Sequence, residues 1–286
     1  MNFTNGAELL EYCEKEHKKI SEAMFERETT FLEQDPEKTR EKMEKAWSIM
    51  QASTKKPLKE NIVSMGGMIG GESRKLHTLR ENGKNICGDV VSKAIVLEVN
   101  ASMGLIVAAP TAGSSGVIPG VCCSLQENYG FTDEEICQAL FNAAAVGYLI
   151  TRNATTAGAE GGCQAEIGSA SAMAAGAVAY LEGGKEQEIV HAAALALKNM
   201  LGLACDPVAG LVEVPCVKRN VSGAVNAVVS SQMAIAGIKS AIDPDEVIDS
   251  MRRIGKLIPA CLRETGQEGL ATTPTAQAVV KHLREK

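Results

Sequence analysis

No stretch of this chain alternates apolar and polar residues convincingly over the length of a strand, although Ile95–Val99 and Leu105–Ala109 are ambiguous. Its least polar segment, residues 167–181, is mostly Ala, Gly and Ser. Such a run reads as a helix whose neighbours approach closely, because small side chains hold the backbones apart least. Aromatic residues are only 3% of the chain, so packing must come from Ala, Gly, Val, Leu and Met. The expectation is an all-α, multi-helix fold with its chemistry on the loops between helices.

Capping signals divide the chain further. Asn5 with Glu8 opens an amphipathic helix over 5–34, and Asp35-Pro36 stops it and starts another carrying Met43, Trp47 and Met50. A helical reading from Val90 ends at Ala109-Pro110, and Thr132 with Glu135 opens the next helix. Helices are expected over 164–181, ended by Gly183-Gly184, and over about 186–200. Cys205–Arg219 reads as loop, followed by a helix to about Ala241, with later starts at Asp243-Pro244 and Thr273-Pro274. Asn82-Gly83 and Cys87-Gly88-Asp89 are turn signals. Residues 1–56 read as a charged N-terminal helical arm and 57–286 as the main helical domain.

A net charge of −6 without a basic stripe excludes a general affinity for nucleic acid or anionic membranes. Neither a secretory signal nor a membrane span is visible, which makes the cytoplasm the expected compartment. Nine cysteines in a chain of this size suggest thiols or metal ligands rather than a disulfide framework.

Three of these cysteines lie in turns punctuated by Gly or Pro: Cys163 in Gly161-Gly162-Cys163, Cys205 in Cys205-Asp206-Pro207, and Cys216 in Val214-Pro215-Cys216. Their separations match neither a zinc CxxC pattern nor a ferredoxin run, so buried thiols and metal ligands are both open readings. Three ligands would leave one corner of an iron–sulfur cluster open, which suits a Lewis acid in a dehydration better than an electron carrier. Ala109-Pro110-Thr111-Ala112-Gly113-Ser114-Ser115-Gly116 offers backbone amides and hydroxyls suited to a carboxylate, or is a plain solvent loop. The glycine-dense Met65–Glu72 loop leads to Lys75 and His77, each a possible general base when its pKa is tuned.

From about Met65 to Thr275 the chain resembles the iron–sulfur-dependent bacterial L-serine dehydratases, specifically the alpha subunit of the two-subunit type. The resemblance is dense at Gly70-Gly71, Glu98–Gly104, Ala109–Gly116, Gly161–Ile167, Cys205–Asn220 and Leu262–Gly266. It implies a 4Fe–4S cluster on Cys163, Cys205 and Cys216 with one iron open to substrate, an all-helical catalytic domain, and a separate beta subunit as partner. Some relatives end in a cysteine that can occupy that iron; this chain ends His282-Leu283-Arg284-Glu285-Lys286. The implied reaction is β-elimination of water from L-serine, yielding pyruvate and ammonia. For it, Asn100, Ser102, Thr111 and Gly113, with Ser114 and Ser115, are the candidates for holding the substrate. Lys75, at a family position, is the first candidate base and a serine alkoxide from Ser114 or Ser115 the second. A related cysteine desulfidase-type lyase and a non-catalytic iron–sulfur helical protein are the competing readings.

Overall fold

Polar side-chain caps set where five of the helices begin. In the computed structural model, which describes residues 2–84 and 88–285, α1 (Gly6–Glu16) starts with Asn5 Oδ1 accepting the Glu8 amide at 2.8 Å. The Glu8 carboxylate reaches one residue beyond a capping box, to the Thr4 amide at 2.7 Å. The single helix expected over 5–34 is two. The chain turns at His17 (φ 52°), α2 runs Ile20–Glu26, and a wide turn over Arg27–Phe31 ends it. Residues 14–19 offer no apolar side chain to bury, so a reversal there brings Leu9 and Cys13 of α1 into one core with Ile20 and Met24 of α2.

Asp35 Oδ1 caps α3 (Pro36–Lys59) at the Lys38 amide, 3.0 Å away, and α3 buries Trp47 and Met50 in the same core. The Trp47 indole donates to Asp133 at 2.7 Å. Next come α4 (Glu72–Glu81), α5 (Asp89–Ala94) and α6 (Leu97–Ala101). Cys87, in an expected turn, lies outside the described residues. The continuous helix read from Val90 is interrupted at Ile95–Val96 and ends at Ala101, with Met103 left-handed (φ 61°). The ambiguous stretches are not strands: among the described residues there are only two isolated bridges, Val63 with Gly70 and Cys205 with Arg263.

The second half holds α7 (Val117–Tyr129), α8 (Asp133–Asn153), the short α9 (Gly158–Gly161), α10 (Ser169–Leu181) and α11 (Glu186–Lys198). It closes with α12 (Cys216–Ile235), α13 (Pro244–Leu257) and α14 (Pro274–Arg284). The Thr132–Glu135 capping box forms as read, with bonds of 3.2 and 2.8 Å. Two boundaries move. The helix expected from 164 begins with a wide turn over Gln164–Gly168, and α12 starts at Cys216, inside the expected loop, and stops at Ile235. No described helix is long and apolar enough to cross a membrane.

α10 is the centre of the architecture, with every residue from Ser169 to Ala179 buried and α7, α8, α11 and α12 packed around it. Its Ala, Gly and Ser side chains allow this, as the composition requires. Against α12, Ser171 Oγ donates to the Gly223 carbonyl at 2.8 Å, while the buried Ser169 Oγ of the same helix has no hydrogen-bond partner. A second close crossing joins α5 to α7, where a Cβ on Gly120 would lie 2.6 Å from Ala94 Cα. That obstacle is backbone, with no flexible tip to yield. Gly120→Ala should therefore destabilise the protein by about 3 kcal/mol, measured by urea unfolding; an unchanged midpoint would show that the two helices slide apart without cost.

Candidate metal centre and substrate loop

The three cysteines singled out by their turns are all buried, and each is held by a different element. Cys163 sits between α9 and the wide turn. Its neighbour Gln164 fixes the spot: the amide donates to the Leu203 carbonyl at 3.0 Å, the side-chain oxygen accepts from the Gly202 amide at 2.9 Å, and the side-chain nitrogen donates to Met251 of α13 at 3.0 Å. Cys205 is clamped by backbone pairing, its amide donating to the Leu262 carbonyl at 2.9 Å and its carbonyl accepting from the Glu264 amide at 2.7 Å. Cys216 is the first residue of α12.

One turn further along α12, Arg219 donates to the Ala204 carbonyl at 2.7 Å and to Asp206 at 3.0 Å, bracketing Cys205. Asn220, fully buried, donates to the Cys216 and Gly113 carbonyls at 2.9 Å each and accepts from the Gly116 amide at 2.9 Å. That one side chain fastens the Thr111–Ser115 loop to the cysteine-bearing helix.

The thiols interact. A hydrogen bond from Cys205 and the nearby Arg219 guanidinium together hold Cys163 below the usual thiol range despite its burial. The same bond to Cys163, with burial, pushes Cys205 far up, and burial pushes Cys216 up to about 12. Three buried sulfurs, one with its pKa drawn down beside a fixed cation, offer soft donors. Such a set fits iron–sulfur or another thiophilic metal far better than Mg or Ca.

The structure adds a side chain that motif reading passed over. Glu166, three residues after Cys163, lies between the cysteines and the Thr111 loop. Its Oε1 accepts from Thr111 Oγ1 at 2.8 Å, and its Oε2 is 3.8 Å from Cys205 Sγ. Burial raises its pKa, and the charge of Glu264 adds to the rise. The ligand atoms of Glu166, Cys205 and Glu264 all lie within 4.8 Å of one another, a group able to hold a metal ion. Gly113 leaves room for this carboxylate, since a Cβ there would come within 3.0 Å of Glu166 Oε1. No turn or spacing signal singles out Glu166, a glutamate in a Gly- and Ala-rich stretch.

The remaining candidates fall in different places. Thr111 and Gly113 line up with Glu166. Ser114 is fully buried and spends its hydroxyl on Thr111 and on the Ala109 carbonyl, while Ser115 Oγ is buried with no hydrogen-bond partner. Asn100 is half-buried on α6, which packs against the 112–114 turn and α12, and Ser102 Oγ closes its own helix by donating to Val99 at 3.0 Å. Lys75 stands exposed on α4, and no side-chain hydrogen bond or ion pair ties it to the cysteine group. His77 faces Glu81 of its own helix at 3.4 Å. The glycine-dense loop is bound to the cysteine segment instead by buried Glu213, which accepts from the Gly66 amide and Ser64 Oγ at 2.6 Å each and from the Met68 amide at 3.2 Å.

An all-helical fold with a thiol and two carboxylates placed to hold a metal ion, beside an amide- and hydroxyl-lined loop, has the features of an enzyme that acts on a small polar substrate. The chain belongs to the serine dehydratase alpha chain family, whose model matches residues 15–271. It is 47% identical to a probable L-serine dehydratase alpha chain of Bacillus subtilis, covering 98% of this chain and 95% of that one. It is 42% identical to the L-serine dehydratase alpha chain of Peptoniphilus asaccharolyticus, covering 95% of each. A Helicobacter pylori L-serine dehydratase is 37% identical over 95% of this chain, a match that spans 62% of that longer protein.

Proposed function

We propose that this chain is the catalytic alpha subunit of an L-serine dehydratase, converting L-serine to pyruvate and ammonia. The observation that carries the reading is the placement of Glu166 between the cysteine group and the Thr111–Gly113 loop. Cys163, Cys205 and Cys216 would hold a 4Fe–4S cluster, which, when bound, supplies a Lewis-acidic iron. Buried free thiols and the soft donor set support that cofactor, and they suit the reducing cytoplasm.

The protein's own groups supply the rest. The Ala112 and Gly113 amides bind the substrate carboxylate, with Asn100 beside them on α6, while the Thr111 hydroxyl stays on Glu166 and holds it against the loop. Glu166 Oε2 takes the Cα proton, a role its upward-shifted pKa favours at neutral pH. Loss of that proton and of the β-hydroxyl releases water overall and leaves aminoacrylate, which tautomerises to an imine and hydrolyses to pyruvate and ammonia. Glu166 takes the place expected of Lys75 and of a serine alkoxide because it is the ionisable group in contact with both the loop and the thiols.

A separate beta chain is the proposed partner. The alpha-chain designation of the Bacillus and Peptoniphilus relatives supports it, as does the greater length of the Helicobacter protein. The test is anaerobic purification with the candidate beta chain, followed by iron and labile-sulfide analysis and a serine-dependent pyruvate assay. About four iron and four sulfide per chain with pyruvate release supports the proposal; protein that stays colourless after reconstitution and releases no pyruvate overturns it.

A further inference from the structure

Glu98 is a glutamate with 1% of its surface exposed, and neither the metal centre nor the substrate loop uses it. It sits on α6 two residues before Asn100. Its Oε1 caps α4, accepting from the Glu72 amide at 2.7 Å and the Ser73 amide at 3.3 Å. Its Oε2 is buried and faces no N–H or hydroxyl donor. The side chain within hydrogen-bonding reach is the carboxylate of Glu72. Glu72 in turn accepts from Lys218 Nζ of α12 at 3.0 Å and from the Gly70 amide at 2.6 Å. Two carboxylates in contact cannot both be ionised without a large penalty, and a buried oxygen left without a donor costs further. A proton on Glu98, donated to Glu72, removes both difficulties at once.

We propose that Glu98 is a positioning residue that works as a neutral carboxylic acid, donating a hydrogen bond to the Glu72 carboxylate and so fastening α4 and α6 to the Cys216 end of α12. The three elements carry Lys75, Asn100 and Cys216, so this clasp sets the glycine-dense loop and α6 relative to the metal centre. Glu72 is the anionic member: burial would raise it, but the Lys218 ammonium and its hydrogen bonds hold it below its ordinary value. Burial, then the bond to Glu72, pushes Glu98 up to about 7. Other charged groups of the packed elements are engaged elsewhere: on α5, Asp89 with Arg80 and Lys93 with Glu127; on α3, Lys55 beside Asp133 and Lys56 with Glu60, while Lys59 is exposed. The turn at 112–114 carries no charge.

The sign follows from linkage. The folded state holds Glu98 above its ordinary value of 4.5, so its contribution to stability is complete below that pH and is lost as pH rises to about 7. Glu98→Gln carries an amide donor at every pH and keeps the acceptor that caps α4. Thermal unfolding of the full chain between pH 4.5 and 8.5 should show Glu98→Gln several degrees more stable than the parent at pH 8, with a flatter fall between pH 5 and 7. Glu98→Ala, lacking cap and donor, should be several degrees less stable than the parent at pH 5. A pH profile of Glu98→Gln parallel to the parent's, or as low as that of Glu98→Ala throughout, would overturn the proposal. Carbon-13 titration of Glu98 in the unsubstituted chain, which requires no variant to fold, should show a midpoint near 7; a midpoint near 4.5 would refute it equally.

The catalytic side of the inference rests on the proposed dehydratase activity, and the stability and titration readouts do not. With the loaded enzyme and its partner, Glu98→Gln should keep kcat within about twofold of the parent and Glu98→Ala should lose about tenfold or more, the conservative change restoring what truncation removes. Equal losses in both variants would count against the neutral-acid role.

Discussion

Cys205→Ala is expected to lose bound iron and sulfide together with serine-dependent pyruvate release, by about a thousandfold or more. A Lewis acid contributes several kcal/mol to a reaction of this kind, and each 1.36 kcal/mol is about a factor of ten in rate. The substitution removes only the sulfur. The backbone pairing of residue 205 with Leu262 and Glu264 survives it, as does the Arg219 clamp on Ala204 and Asp206. The helical signal and unfolding midpoint should therefore stay close to the parent's. Cys137→Ala makes the matched control: this cysteine is a buried core thiol on α8, part of the main apolar cluster. It should lose some stability and keep its iron. A Cys205→Ala protein that remains coloured and active would remove the metal centre from the mechanism altogether.

Glu166→Gln should leave iron content unchanged and lower kcat by about 10²- to 10⁴-fold, the range for losing a general base, with a much smaller effect on KM. Glutamine keeps the shape and can still accept from Thr111, so the loop should stay in place. What disappears is the ability to take a proton at Oε2, beside Cys205. Lys75→Met is the comparison that separates the two candidate bases. With Lys75 exposed and without a bond to the cysteine group, its turnover should match the parent within about twofold. A large loss in Lys75→Met with near-normal Glu166→Gln kinetics would return the proton transfer to α4. Rates for both variants come from the same anaerobic pyruvate assay, normalised to iron content.

Much of the architecture was legible locally. Asn5, Asp35, Thr132, Asp243 and Thr273 each accept the amide bond expected of an N-cap, because capping involves residues only two or three apart. The small-residue run became the central helix for the same local reason, its low side-chain entropy cost. Errors came where distant packing overrode local pattern. His17 takes a left-handed turn because Leu9 and Ile20 must reach one core, and Ile95–Val96 breaks a helix that periodicity would continue. Cys216 opens α12 directly after Pro215, inside the stretch to Arg219 that reads as loop.

The site divides along the same line. Its cysteines, Thr111 and Gly113 announced themselves through glycine and proline turns, a short-range signal. Glu166 carries no such mark, since a glutamate in a Gly-rich stretch reads as a solvated charge until the fold buries it against Thr111 and Cys205. Glu98, Glu213 and Asn220 are likewise ordinary polar residues in sequence, each with a partner between 25 and 149 residues away. The amino-acid sequence alone determined the helical class and many helix starts, and it marked three cysteines as candidate ligands, because each depends on neighbours within a turn or on side-chain chemistry. Only the tertiary structure decided which acids are buried, what they face and which of them stand beside the candidate site, because desolvation and close contact arise when remote segments pack together.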